Sequence, residues 1–158
     1  MTEIRKRAPV SSWVAGYGGK DFGHGKLIYL MQVKEVLTFE QYFGDRRFMD
    51  RLDNVYHKVN GVYQQVPSAR AHTKDKEKKH DLSEDRVLIA SRFVYFGTNK
   101  IDLGKLFSDF VPSARSYRNV DGAQIDGFVS WAFSHGSSIA GTPHKPLLPP
   151  STTLVQLG

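Results

Sequence analysis

The spacing of apolar residues changes from a period of two to a helical period along this chain. In Leu27-Ile28-Tyr29-Leu30-Met31-Gln32-Val33-Lys34-Glu35, alternation puts Leu27, Tyr29, Met31 and Val33 on one face, and Ile28 and Leu30 with Gln32 and Lys34 on the other. That predicts a strand whose first half is buried on both sides. Val10 to Tyr17 predicts its hairpin partner. Asn54 to Tyr63 predicts a strand pair turning at Asn60-Gly61, a dipeptide suited to two successive positive φ angles. Arg86 to Gly97 is apolar on both faces apart from Ser91 and Arg92, which predicts a long central strand. Helical spacing appears first after Thr38, where Thr38 and Gln41 fit a capping box and Phe39, Tyr42 and Phe43 share one side, ending near Gly44. Leu103, Leu106, Phe107 and Phe110 predict a second helix. Ile125, Phe128, Val129 and Ala132 predict a third within Asp121 to Phe133, stopping by Gly136.

Two stretches carry no apolar period. Arg70 to Asp85 contains Lys74-Asp75-Lys76-Glu77-Lys78-Lys79, which reads as a solvated, mobile loop. Thr142 to Pro150 holds Pro143, Pro146, Pro149 and Pro150 and reads as an extended surface tail. With no internal repeat, the organisation is one α+β domain over residues 1–141 and a Pro-rich tail over 142–158. A chain of 158 residues buries about two-thirds of the surface its unfolded form exposes.

Charge narrows the partners. The chain has 22 Lys and Arg against 16 Asp and Glu, net +6, which favours phosphate-bearing ligands or an anionic surface. The absence of cysteine removes disulfides, thiolate metal sites and a cysteine nucleophile from consideration. No apolar run approaches the roughly 20 residues of a membrane span. Met1 to Arg7 is basic but lacks the apolar stretch of a signal peptide. No membrane association and a cytoplasmic location are therefore expected.

Candidate chemistry concentrates between the first two strands. Gly16, Gly18, Gly19, Gly23 and Gly25, with Lys20, His24 and Lys26, form a loop that brings backbone N–H groups and ammonium charges close to a ligand. It is not a P-loop, because Asp21 follows Lys20 and a strand, not a helix, follows the loop. A plain hairpin loop is the alternative. Asp45-Arg46-Arg47 and Arg51 form a basic cluster suited to phosphate, or to pairing with Asp45, Asp50 and Asp53. Trp13, Tyr17, Tyr56 and Tyr95 could stack on a base or serve as core. Arg92 interrupts the most apolar strand, so it needs an edge, a ligand or a carboxylate; Glu35 is the candidate partner. The six histidines show no metal-ligand spacing, and Ser134-His135 reads as a helix exit rather than a catalytic pair. No catalytic residue, metal or cofactor is assigned; Glu35 and Asp45 are the carboxylates to consider as acid or base.

Trp13-Val14-Ala15-Gly16-Tyr17-Gly18, the Leu27–Glu35 run, Phe39 with Tyr42, Asp45-Arg46-Arg47-Phe48, Asp53-Asn54-Val55-Tyr56 and the Val87–Gly97 run occur in an order that resembles the nucleotide modification associated domain family, the second so named, of bacteria and their phages. The likeness covers Ile4 to Leu103. It implies a role in making or handling modified bases and carries over no reaction. Relatives have a further N-terminal segment with an aspartate and a cysteine ahead of Ile4-Arg5, so this sequence reads as a truncated or a short variant and the resemblance does not carry over activity that needs those groups. A glycine/tyrosine turn followed by an apolar strand closing in Val33-Lys34-Glu35-Val36 is similar to the small barrels of the PUA-like group, including its EVE and ASCH branches. That implies a twisted, partly closed β-barrel with two or three packed helices and a base-binding cleft beside it, bordered by Trp13, Tyr17 and Arg92. The resulting expectation is a domain that binds a nucleic acid or nucleotide and recognises a modified base, with Lys20, Lys26, Arg46 and Arg47 on phosphates and aromatics such as Tyr56 on the base. An enzyme acting on a modified nucleotide, or a phage–host interaction protein, are the alternatives.

Overall fold

The basic N-terminal residues form a short helix, α1 (Thr2–Arg7), ahead of the strand β1 (Trp13–Tyr17). The computed structural model describes residues 2–20, 23–67, 74–112, 117–120 and 122–143. The alternating run becomes β2 (Leu27–Leu37). Thr38 and Gln41 then close the expected capping box: Gln41 N–H donates to Thr38 Oγ1 at 3.1 Å, and Thr38 N–H to Gln41 Oε1 at 2.8 Å. This starts α2 (Phe39–Gly44). A one-turn 3-10 helix (Arg46–Phe48) leads to the hairpin β3 (Tyr56–Val59) and β4 (Val62–Gln65). Asn60 and Gly61 have φ of 50° and 79°, the twist that joins two strands with two residues. There follow α3 (Asp75–Asp81), β5 (Val87–Tyr95), α4 (Gln124–Ser134) and β6 (Ser138–Ile139).

The main sheet runs β1-β2-β5-β6, and β3-β4 forms a separate two-stranded sheet. β1, β2 and β5 pair antiparallel, and β6 lies parallel to β5. Four cross-strand rows result: Trp13–Gln32–Arg92, Val14–Met31–Phe93, Ala15–Leu30–Val94 and Gly16–Tyr29–Tyr95. Because successive residues point to opposite faces, the rows alternate between two cores. Leu30 and Val94 join Leu27, Phe96, Phe107, Phe110, Phe128 and Ala132 in the larger core under α4. Val14 and Val33 join Ala8 in a smaller one on the α1 side, with Ile4, Tyr29 and Met31 packed against it.

Two expectations are corrected, and a third is met in part. The helix read from Leu103, Leu106, Phe107 and Phe110 is only a 3-10 turn, Ser108–Phe110. Gly104 takes φ +60° with its N–H held by the Asp102 side chain at 2.9 Å, a left-handed turn that no helix continues through; Leu106 is left 78% exposed. The charged stretch taken as a loop is helical over Asp75–Asp81, with acids in its first turn and bases in its last, the order the helix dipole favours. Arg70 to Thr73 and the Pro-rich tail beyond Pro143 lie outside the described residues. Finally, the fold is α+β, but no closed barrel forms among the described residues: β3 and β4 pair only with each other, and β1 stands at an edge of its sheet. Among the described residues no helix is long and apolar enough to cross a membrane.

Candidate functional site

The edge position of β1 determines what surrounds it. Ser11 N–H donates to Val33 O at 2.7 Å, Val33 N–H to Ser12 O at 2.9 Å, and on the other side of β2 Phe96 N–H donates to Ile28 O at 2.7 Å. With the registers given above, this turns the backbones of Val14 and Gly16 toward β2, and the N–H and C=O groups of Trp13, Ala15 and Tyr17 away from it. They face a cleft of about 1000 Å³. The turn Ala8–Ser12 lines it before the strand and the loop Gly18–Lys20 after it, while Phe110–Pro112 and Tyr117–Val120 form the facing wall.

The middle of the strand is small by composition. Ala15 brings one methyl group and Gly16 none, and the Tyr29 ring occupies the space a Gly16 side chain would need: a Cβ there would lie 2.0 Å from Tyr29 Cε1. Tyr29 thereby lies across β1 and reaches the cleft wall. Burial pushes the Tyr29 and Tyr17 phenols above their ordinary value, so both are neutral hydrogen-bonding groups at physiological pH.

The charges along the cleft have one sign. Arg7, Lys20 and Arg118 line it together with His24, and no carboxylate does so among the described residues. Arg7 donates to Glu3 at 3.1 Å and lies over the Tyr117 ring at 5.1 Å, which links α1 to the facing wall. Arg92, exposed in the row that contains Trp13, is held by aromatics: its guanidinium lies 5.3 Å from the Trp13 ring and 4.7 Å from that of Phe133. Those rings meet edge to face at 5.9 Å.

Of the residues singled out from sequence, Trp13, Tyr17 and Lys20 line the cleft, and Arg92 joins them through Trp13. Lys26, Arg46, Arg47 and Tyr56 do not line it. Tyr56 is 4% exposed and its hydroxyl donates to Asp81 at 3.0 Å; burial first, and then that bond, push the phenol up to about 12. Glu35 is not the partner of Arg92. Glu35 lies opposite Ile89, three residues along β5 from Arg92, and its carboxylate accepts from Arg47 Nη1 at 2.9 Å. Arg47 also donates through Nε to Asp45 Oδ2 at 2.9 Å, which holds the Asp45 carboxyl below its usual range. Arg51 is likewise paired, with Asp53 at 3.0 Å. Both carboxylates weighed as acid or base are thus engaged in ion pairs. Ser134 and His135 both bond the Trp131 carbonyl, at 2.7 and 2.8 Å, at the end of α4, the helix exit expected.

Arg7, Tyr29, Tyr117 and Arg118 were not among the residues read from sequence. The one available signal was the basic Met1–Arg7 segment, whose helix sets Arg7 at the cleft; Tyr29 needed the register that places it beside Gly16. A model of the nucleotide modification associated domain 2 family matches residues 1–148. The chain belongs to that family. The matched span of this nucleotide modification associated domain contains every residue that lines the cleft and reaches well past Leu103. No curated protein and no solved structure matches the chain.

Proposed function

We propose that this nucleotide modification associated domain binds a nucleotide or a nucleic-acid segment in the cleft beside β1 and recognises a base there. The observation that carries the reading is the composition of the cleft wall. Trp13, Tyr17, Tyr29 and Tyr117 stand with Arg7, Lys20 and Arg118, and no carboxylate is present among the described lining residues. A heterocycle favours flat apolar contact, and its phosphate favours cations, of which Arg7 is already shared with Glu3. A volume of about 1000 Å³ lies at the upper end of small-ligand sites. The likeness to base-binding PUA-like domains points the same way by analogy alone.

The test is binding of nucleoside monophosphates and of single-stranded oligonucleotides at low and high salt. Affinity should fall steeply with salt, and the Lys20→Ala/Arg118→Ala double variant should bind several-fold more weakly with a smaller salt slope. Binding by the folded double variant equal to that of the parent would place the phosphate site elsewhere.

A further inference from the structure

We infer that the base in this cleft is read by the open backbone edge of β1, and that the site therefore takes an unpaired base. The inference rests on the cleft being a nucleotide site and adds which atoms do the reading. Three observations carry it. First, the hydrogen-bond parity turns the N–H and C=O groups of Trp13, Ala15 and Tyr17 outward, into the cleft. Along such an edge the carbonyl of one residue and the amide of the residue two further on are neighbours. Trp13 C=O with Ala15 N–H is one acceptor–donor pair, and Ala15 C=O with Tyr17 N–H is the next. Every nucleobase offers an adjacent donor and acceptor on the edge it uses for pairing, so either pair matches that edge of a free base, and in a duplex the edge is already taken by the complementary base.

Second, the strand lets a ring approach. Ala15 and Gly16 sit at its centre, and Gly16 is kept bare by the Tyr29 ring lying where its Cβ would be. A glycine inside a strand marks a close approach to the backbone; at Gly16 that approach is made by Tyr29, and the room along the outward edge comes from Ala15, which brings one methyl group. The cleft wraps both faces of this edge: Ile4, Ala8 and Tyr29 line it on the α1 side, and Ile125 and Phe128 on the α4 side. A planar ring docked in the plane of the sheet has apolar groups above and below it.

Third, no carboxylate or glutamine competes for the role among the described lining residues. Asp, Glu and Gln are absent from the described lining, and Asn119 is its single amide side chain. The outward backbone groups run along the centre of the site as fixed donors and acceptors, with hydroxyls such as those of Tyr17 and Tyr29 beside them, while the cations bind phosphate.

Ala15→Pro isolates the claim. The Ala15 amide lies outside the β1–β2 ladder, and proline is tolerated on an edge strand where its missing N–H faces outward. The variant should keep the parent's circular dichroism and bind a single-stranded mixed-sequence oligonucleotide about tenfold more weakly, the loss of one buried hydrogen bond. Its salt slope should not change, since the phosphate contacts remain. In the parent, the same oligonucleotide should slow hydrogen exchange at Ala15 and Tyr17, and its fully paired duplex should not compete. If Ala15→Pro does not fold, an amide-to-ester replacement at residue 15 removes the same donor. Unchanged affinity after loss of that donor, or a duplex that competes equally, overturns edge reading and leaves the salt-dependent cleft intact. Absence of any salt-sensitive binding to the parent overturns the cleft reading itself, and edge reading with it.

Discussion

The guanidinium of Arg86 closes the carboxyl end of α1, donating through Nη1 to Lys6 O at 2.7 Å and through Nη2 to Ala8 O at 3.2 Å. A helix of six residues does not persist by itself in water. This one is docked from both sides, because Arg5 reaches back to the Asp81 carbonyl at 2.6 Å and lies over the Phe39 ring at 5.5 Å. The same docking sets Arg7 at the cleft. Arg86→Met leaves the two carbonyls without this donor, and should lower stability by about 1–3 kcal/mol in urea unfolding. Amide exchange over Glu3–Ala8 should speed up more than exchange in β2. Equal acceleration in both would make the loss global and leave α1 with no special dependence on Arg86.

Gly16 and Tyr29 share one volume. Gly16→Ala forces the ring off its place, because the new Cβ would fall 2.0 Å from Cε1. A thermal midpoint shift equivalent to about 1–3 kcal/mol is expected, with weaker nucleotide binding as the ring leaves the cleft wall. Gly44→Ala, where a Cβ meets nothing within 4 Å, should stay within about 0.5 kcal/mol. Similar effects of the two variants would show that Tyr29 is not held as described.

The carboxylates bound to arginine link stability to acid pH. Hydrogen bonds from Arg47 hold the Asp45 carboxyl below its usual range. A group depressed in the folded state contributes stability that is present above its ordinary value and lost as pH falls through the folded one. Arg47→Gln should therefore return Asp45 toward the ordinary aspartate range in a carboxyl NMR titration and flatten the acid limb of the stability curve. Nucleotide affinity at neutral pH should be unaffected, because Arg47 is held by Glu35 and Asp45 and does not line the cleft. A large loss of affinity would bring Arg47 back as a phosphate contact.

What sequence showed and what it hid divide along local and non-local lines. The capping box at Thr38 and Gln41 and the turn at Asn60-Gly61 are settled by residues three or fewer apart, and both form as read. The Leu103–Phe110 pattern failed because helical spacing of apolar residues does not outweigh a glycine with φ +60° at Gly104. The hydrophobic positions were nonetheless legible, since Leu103, Phe107 and Phe110 are all buried. The site needed register. Glu35 pairs with Ile89, three residues along β5 from Arg92, and no periodicity announces that pairing. That Gly16 meets Tyr29, or that the amide of Ala15 points outward, follows only once two strands are paired.

Arg92 gives the sharpest separation between stability and binding. An exposed guanidinium over two rings contributes about 0.5–1 kcal/mol, so Arg92→Ala should barely alter unfolding. Its location predicts a larger effect on ligand. Trp13 lines the cleft with one part of its surface while Arg92 lies 5.3 Å from its ring, so removing Arg92 frees the indole to turn. Trp13 emission should shift, and the shift should be assigned with Trp131→Phe as background, since Trp131 is the other tryptophan. Arg92→Lys should behave like alanine in this assay, because an ammonium cannot lie flat on a ring as a guanidinium does. Full retention of the parent spectrum in Arg92→Lys would mean that positive charge alone positions the indole, and that the planar stack has no part in shaping this wall of the cleft.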